Sequence, residues 1–220
     1  MFKKIVLAGL MGLATCVTSF AQDTAVPTLL THENPNILRL HPITAMDIGV
    51  GFSISYERLL GAEQKIGLVL PVSMLVQSTG NNGFFTQAYD YNEKRYNMYA
   101  YFTPGVKFYP FGHRKVTYAV GPNLLLAYGG GNEWQYRMDN KGVEYLEDVK
   151  TTRVRLGVLV NNYVNFQISS KFNLGLEGGL GFRYYDRQTL TGSPFYAGNG
   201  STVQGVDMTG QFSLSLGYCF

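Results

Sequence analysis

The sequence predicts an all-β protein: a single eight-stranded antiparallel up-and-down transmembrane β-barrel with short periplasmic turns and longer extracellular loops. Three observations predict it. Large apolar side chains recur at every second position through most of the chain. The connections between these segments alternate short and long. The composition is rich in Tyr (16), Phe (14) and Gly (26), and only 15% of residues are charged, which suits strands with one greasy and one small or polar face.

The N-terminus predicts export. Lys3 and Lys4 precede an apolar run from Ile5 to about Val17, and Ser19-Phe20-Ala21 offers small residues at the positions a signal peptidase reads. Residues 1–21 are read as a signal peptide cleaved after Ala21, residues 22–33 as a short periplasmic segment, and residues 34–220 as the barrel domain. The apolar run falls short of the roughly 20 residues that a spanning helix needs. Lipoprotein processing at Cys16 is the rival, but Thr15 is bulky for the position before such a cysteine. Lys3 and Lys4 leave with the leader and no acid does, so 18 basic against 15 acidic residues become 16 against 15. A nearly neutral chain has no surplus of cations to spread along phosphates, which argues against a nucleic-acid partner. Cys219 alone remains, and one cysteine forms no internal disulfide.

The last segment shows the pattern most clearly: Phe212, Leu214, Leu216, Tyr218 and Phe220 alternate with Gln211, Ser213, Ser215, Gly217 and Cys219. The same phase runs through Val50–Tyr56 (with Ile48 placed on the greasy face), Ile66–Met74, Ala100–Phe108, Val116–Tyr128, Val154–Val160 and Phe172–Phe182. Short gaps fall near 60–64, 110–115 and 168–171, and long ones near 78–96, 130–151 and 187–205. With the C-terminus on the periplasmic side, the segment at 46–60 runs inward, so another strand must precede it, and Ile37 to Ile43 is the candidate. That gives eight strands, the even number such barrels require.

These directions sort the aromatic residues into two levels. Tyr56, Phe108, Tyr118, Phe166, Phe172, Tyr218 and Phe220 fall at the periplasmic one, and Tyr128, Phe182 and Tyr184 at the outer one. Pro71, Pro104 and Pro122 lie inside strands, where each removes a ladder hydrogen bond. A turn centred near His113 sets Pro104 opposite Pro122 and predicts a local weakening there. Asn162 breaks the apolar phase and predicts a bulge at Asn161–Asn162.

The inward phase carries Asp47, Arg153, Arg155, Arg183 and Asp207 toward the outer end, with Glu57, Lys107 and Glu177 deeper. An eight-stranded barrel is only wide enough for its own side chains, and isolated buried charges are costly. These groups, with Tyr99, Tyr101, Tyr109, Tyr163 and Tyr185, are expected to pair into a plugging network. Hydrated, unpaired charges at the mouth are the alternative.

Little in the chain points to catalysis. His32, His41 and His113 have no partner suggested by spacing, Gly129-Gly130-Gly131 lacks the lysine of a phosphate loop, and Asp90, Asn92 and Glu93 lack a metal-site spacing. No metal or cofactor is expected. Aromatic residues cluster instead in the long connections: Phe84, Phe85, Tyr89, Tyr91 and Tyr96; Trp134, Tyr136 and Tyr145; Phe195 and Tyr196.

The closing run from Gly210 to Phe220 resembles the C-terminal signal of outer-membrane barrels. The resemblance implies reading of Phe212, Leu216, Tyr218 and Phe220 by the barrel-assembly machinery. Residues 34–220 as a whole are similar to small OmpA/OmpX-type barrels and to uncharacterised outer-membrane β-barrel proteins of this length, which Ser55-Tyr56-Glu57-Arg58 and Tyr109-Pro110-Phe111-Gly112 also resemble. That implies placement in the bacterial outer membrane, among its lipids. The functional expectation is a non-catalytic barrel with a structural or surface-recognition role through its external loops, toward a surface ligand not named by the sequence. A narrow channel for small solutes is the runner-up, and a lipid-modifying enzyme the third reading.

Overall fold

The computed structural model describes residues 35–79, 95–138, 144–191, 201–203 and 206–220. The predicted signal peptide, the segment 22–33, and the aromatic residues at 84–91 and 195–196 lie outside the described residues. The strands are β1 (Asn36–Met46), β2 (Gly49–Leu60), β3 (Ile66–Thr79), β4 (Arg95–Phe102), β5 (Gly105–Phe108), β6 (Val116–Met138), β7 (Glu144–Gln167), β8 (Phe172–Thr191), β9 (Ser201–Val203) and β10 (Asp207–Cys219). Each pairs antiparallel with its neighbour, and β10 pairs with both β8 and β1, which closes the sheet. β4 and β5 are two halves of one barrel strand, since both pair with β3 and β6; β9 extends the wall beside β8. The result is a closed eight-stranded barrel without helices among the described residues.

The alternation decides which side faces in. On β10 and the residue after it, Gln211, Ser213, Ser215 and Cys219 are buried, while Phe212, Leu216, Tyr218 and Phe220 are 53, 50, 38 and 49% exposed. The same holds around the wall, where Leu68, Val72, Phe102, Leu124, Val160 and Leu180 point outward. A continuous apolar belt of this extent marks a surface made for lipid. Glycines make the tight interior curvature possible: a Cβ at Gly121 would collide with the Val106 carbonyl on the neighbouring strand, and one at Gly181 with that of Val158.

Several local expectations need correction. The ladder does break at Thr103–Pro104, but Gly105 pairs with Asn123 and Phe102 with Leu126, so Pro104 faces Leu124, whose N–H donates to its carbonyl (2.9 Å). Pro122 is therefore two positions from the place assigned to it, because the turn centres on Arg114. Asn123 Nδ2 donates to the Thr103 carbonyl (3.0 Å) at the break. Asn161 and Asn162 pair regularly with Gly179 and Gly178, with no bulge. Asn162 lies on the outer face, where its amide oxygen accepts from the Tyr118 hydroxyl (2.6 Å).

Bulges occur elsewhere. One lies at His41–Pro42, where the register of β1 shifts against both β10 and β2. Beyond it the inward phase passes from Ile37, Arg39 and His41 to Thr44 and Met46, and Ile48 is buried rather than on the greasy face. The second lies at Tyr184, between the pairs Leu156–Tyr185 and Gly157–Arg183. It turns Tyr185 away from the lumen and Asp186 into it. The long connections are also shorter than expected: the β6–β7 ladder continues to Met138–Glu144, and β8 and β9 pair through 186–203.

Candidate functional site: the side chains of the lumen

The lumen is layered, and each layer follows from the inward residues of adjacent strands. Deepest is Glu57, fully buried on β2. It accepts from Arg39 Nε (3.1 Å) on β1, from Lys107 Nζ (2.8 Å) on β5, and from the hydroxyl of Tyr109. Arg39 also donates to the Asn173 side-chain oxygen, and Lys107 Nζ lies 4.1 Å from the centre of the Tyr163 ring. Glu177 on β8 is the second deep carboxylate. Asn161 Nδ2 (2.7 Å) and Gln211 Nε2 (2.9 Å) donate to one of its oxygens, and Tyr163 links onward to Asn123 (3.0 Å). Two carboxylates thus face two cations in this layer.

Outward along β6 and β7 the inward residues become apolar. Leu125, Ala127 and Leu159 join Met46, Ile48, Leu75, Tyr99 and Tyr101 in one buried cluster. Next comes a layer of three arginines and three aspartates. Asp186 takes a bidentate contact from Arg153 (2.6 Å to each oxygen) and single contacts from Arg155 and Arg183 (3.3 Å each). Asp47, in the two-residue turn between β1 and β2, meets Arg183 at 2.9 Å and Arg155 at 3.5 Å. Arg183 reaches Asp207 at 3.4 Å.

The structure therefore brings Asp47, Arg153, Arg155, Arg183 and Asp207 into one cluster, and Glu57 with Lys107 into another; Glu177 sits beside the second through amides. Two central residues were missed. Arg39 was legible, since it stands between outward Leu38 and Leu40. Asp186 was not, because a bulge reverses the phase just before it.

At the other end, the turn before β6 places His113 over the inward side chains. His113 Nε2 lies 2.8 Å from the Gln64 carbonyl, and its ring centre is 4.5 Å from that of Tyr109. Burial pushes the imidazole pKa below its ordinary value, with the contact to the Gln64 carbonyl acting in the opposite direction. The cavity here is about 10 Å³, bordered by Arg39, Tyr109, His113, Thr117, Asn165 and Asn173 among others. That is room for about one water.

Among the described residues there is one Ser–His contact: His41 Nε2 lies 2.9 Å from Ser55 Oγ. Spacing along the chain hid it because the two meet across the β1–β2 ladder. Both side chains are nearly fully buried in the lumen, and among the described residues His41 Nδ1 has no hydrogen-bond partner to orient the ring. A nucleophilic site needs that orientation and access for a substrate.

No protein-family model matches the chain, and no curated protein matches it. Among solved structures it is similar to a major outer membrane protein from Thermus thermophilus, with a TM-score of 0.55 and 13% identity over 86% of this chain and 100% of that one. It is also similar to the outer membrane protein OprG from Pseudomonas aeruginosa, with a TM-score of 0.53 and 11% identity over 86% of this chain and 97% of that one. Identity this low speaks to architecture and not to activity. The chain has the fold of the small eight-stranded barrels of bacterial outer membranes.

Proposed function

We propose that this chain is a non-catalytic outer-membrane barrel with a plugged lumen, exported by the leader at 1–21, whose external connections carry a structural or surface-recognition role. The observation that carries the reading is the state of the lumen charges. Three arginines meet three aspartates near the outer end, two cations face two carboxylates at depth, and an apolar layer lies between them. Charges paired in this way oppose ion passage, because ions crossing would have to break the pairs in a low-dielectric space. A channel, by contrast, needs unspent polar groups along a continuous opening.

The remaining expectations fit the same reading. Phe212, Leu216, Tyr218 and Phe220 form an outward stripe at the closing strand, with the Tyr218 ring 5.1 Å from Phe172 and 6.4 Å from Phe220. Such a stripe is available to the assembly machinery before the barrel closes. The β6–β7 ribbon extends the wall beyond the other strands and offers the largest external element among the described residues. Planar-bilayer recording of the refolded, processed chain tests the central point. Absence of stable single-channel steps is expected, with folding verified by a shift in gel migration on boiling. Reproducible steps from boil-sensitive protein overturn the plug in favour of a narrow channel.

A further inference from the structure

At the outer aromatic level the wall stops being apolar on one side of the barrel. The outward positions of β6, β7 and β8 form three rows there. Asn132 pairs with Lys150; Gly130 with Thr152, and Thr152 with Thr189; Tyr128 with Val154, and Val154 with Arg187. The middle row is a dent. Gly130 has φ +155 and no side chain, and a Cβ at this position would strike the Thr151 carbonyl. A cavity of about 210 Å³ lies over it, bordered by Tyr128, Gly130, Lys150 and Thr152. Lys150 borders the cavity and is exposed, and Arg187, exposed on β8 opposite Val154, lies in the row below and outside its rim. Among the described residues neither has an acidic partner, because the nearby Asp186 points inward and is spent on Arg153, Arg155 and Arg183. Below the dent the wall returns to Leu124, Leu126, Val158 and Phe182, all outward.

We propose that this basin is a headgroup site for an anionic membrane lipid, one whose phosphate has no compensating cation in the same headgroup. Lys150 and Arg187 hold the phosphate from two sides, Thr152 donates its hydroxyl, and Tyr128 borders the lower edge; the acyl chains lie down the apolar wall. Two cations with no acidic partner among the described residues, at the level where aromatic residues meet headgroups, attract anionic lipid, and the glycine dent lets the headgroup sit between the strands' side chains. The inference rests on the outward wall facing lipid, which the boiling shift and membrane fractionation test independently of any lipid contact.

The test uses the full processed chain in detergent, titrated with phosphatidic acid and followed by native mass spectrometry. Phosphatidic acid should bind, and phosphatidylcholine should not compete with it. Lys150→Ala and Arg187→Ala should each weaken binding about fivefold and the pair on the order of 25-fold. Lys150→Arg should retain it. Three outcomes overturn the proposal: unchanged binding in the boil-sensitive double variant, equal binding of phosphatidylcholine, or complete displacement by inorganic phosphate, which marks an anion site without a lipid. Should the double variant fail to fold, salt decides on the parent chain: retention that falls as salt rises supports the site, and salt-independent retention refutes it.

Discussion

Replacing Glu57 by Gln tests the central physical claim, that the deep lumen is held by charge. Glutamine keeps the shape and one acceptor oxygen, so packing around the site changes little. What disappears is the negative charge facing Arg39 at 3.1 Å and Lys107 at 2.8 Å, with all three side chains at most 3% exposed. Breaking a buried ion pair by removing one partner costs about 3–5 kcal/mol, because the other charge is left without compensation. Here two cations are stranded, so the upper part of that range is expected. Lys107→Met should cost less, since Glu57 keeps Arg39 and the Tyr109 hydroxyl. In the double variant only Arg39 of the Arg39–Glu57–Lys107 set keeps its charge, so the two losses should fail to add by about 1–3 kcal/mol.

Urea unfolding in lipid vesicles, read from the fraction of boil-sensitive band on a gel, measures all three differences against the parent chain. A Glu57→Gln barrel within about 0.5 kcal/mol of the parent would be the response of an ordinary surface site. Strict additivity of the two single changes would be as damaging. Either result would mean that water, and not the paired side chains, balances these charges.

Further predictions follow from the same geometry. Asp186→Asn should cost about 1–3 kcal/mol, since one carboxylate serves three arginines, and the loss should shrink as salt rises because this layer is nearer solvent; a salt-independent loss would contradict that placement. Gly121→Ala should lower stability by about 1–3 kcal/mol through the collision with the Val106 carbonyl, while Gly178→Ala, with nothing within 4 Å of its Cβ, should be neutral in the same unfolding assay. The folded pKa of His113 lies below its ordinary value of 6.5, so the unfolded chain takes up the proton first as pH falls. Stability should therefore be flat above that value and decline below it, and His113→Asn should remove that decline; an unchanged slope would assign it to another group.

The strand count, the direction of each strand and the outward belt were legible because a period of two survives in the sequence wherever one face meets lipid and the other is crowded. Register was less legible. The turn before β6 centres one residue later than spacing suggested, which moved Pro104 from opposite Pro122 to opposite Leu124. A strand's own alternation is blind to such a slide, since a shift of two along the partner preserves every inward and outward position. Asn162 shows the converse. Its polarity in an apolar phase suggested a bulge, yet the ladder is regular, because a tyrosine hydroxyl on the next strand satisfies the amide in place.

The two bulges explain why the outer ion layer could be read only in part. An added residue reverses every side chain beyond it, so its effect is largest at the strand end that follows it. At Pro42 the warning was visible: the greasy phase passes from Leu38 and Leu40 to Ile43, skipping a step beside a proline that cannot donate. At Tyr184 it was not, because Tyr184 and Tyr185 are both aromatic and either could face lipid. Yet that bulge determines the charge balance. Without it Asp186 would point to the outside, and Arg153, Arg155 and Arg183 would share Asp47 and Asp207, leaving an excess positive charge in the mouth. With it, three cations meet three anions. Deleting one residue at Tyr184–Tyr185 should therefore turn the mouth cationic and raise retention of a small anionic dye by the refolded barrel, whereas the same deletion in the exposed turn at 61–63 should leave retention unchanged.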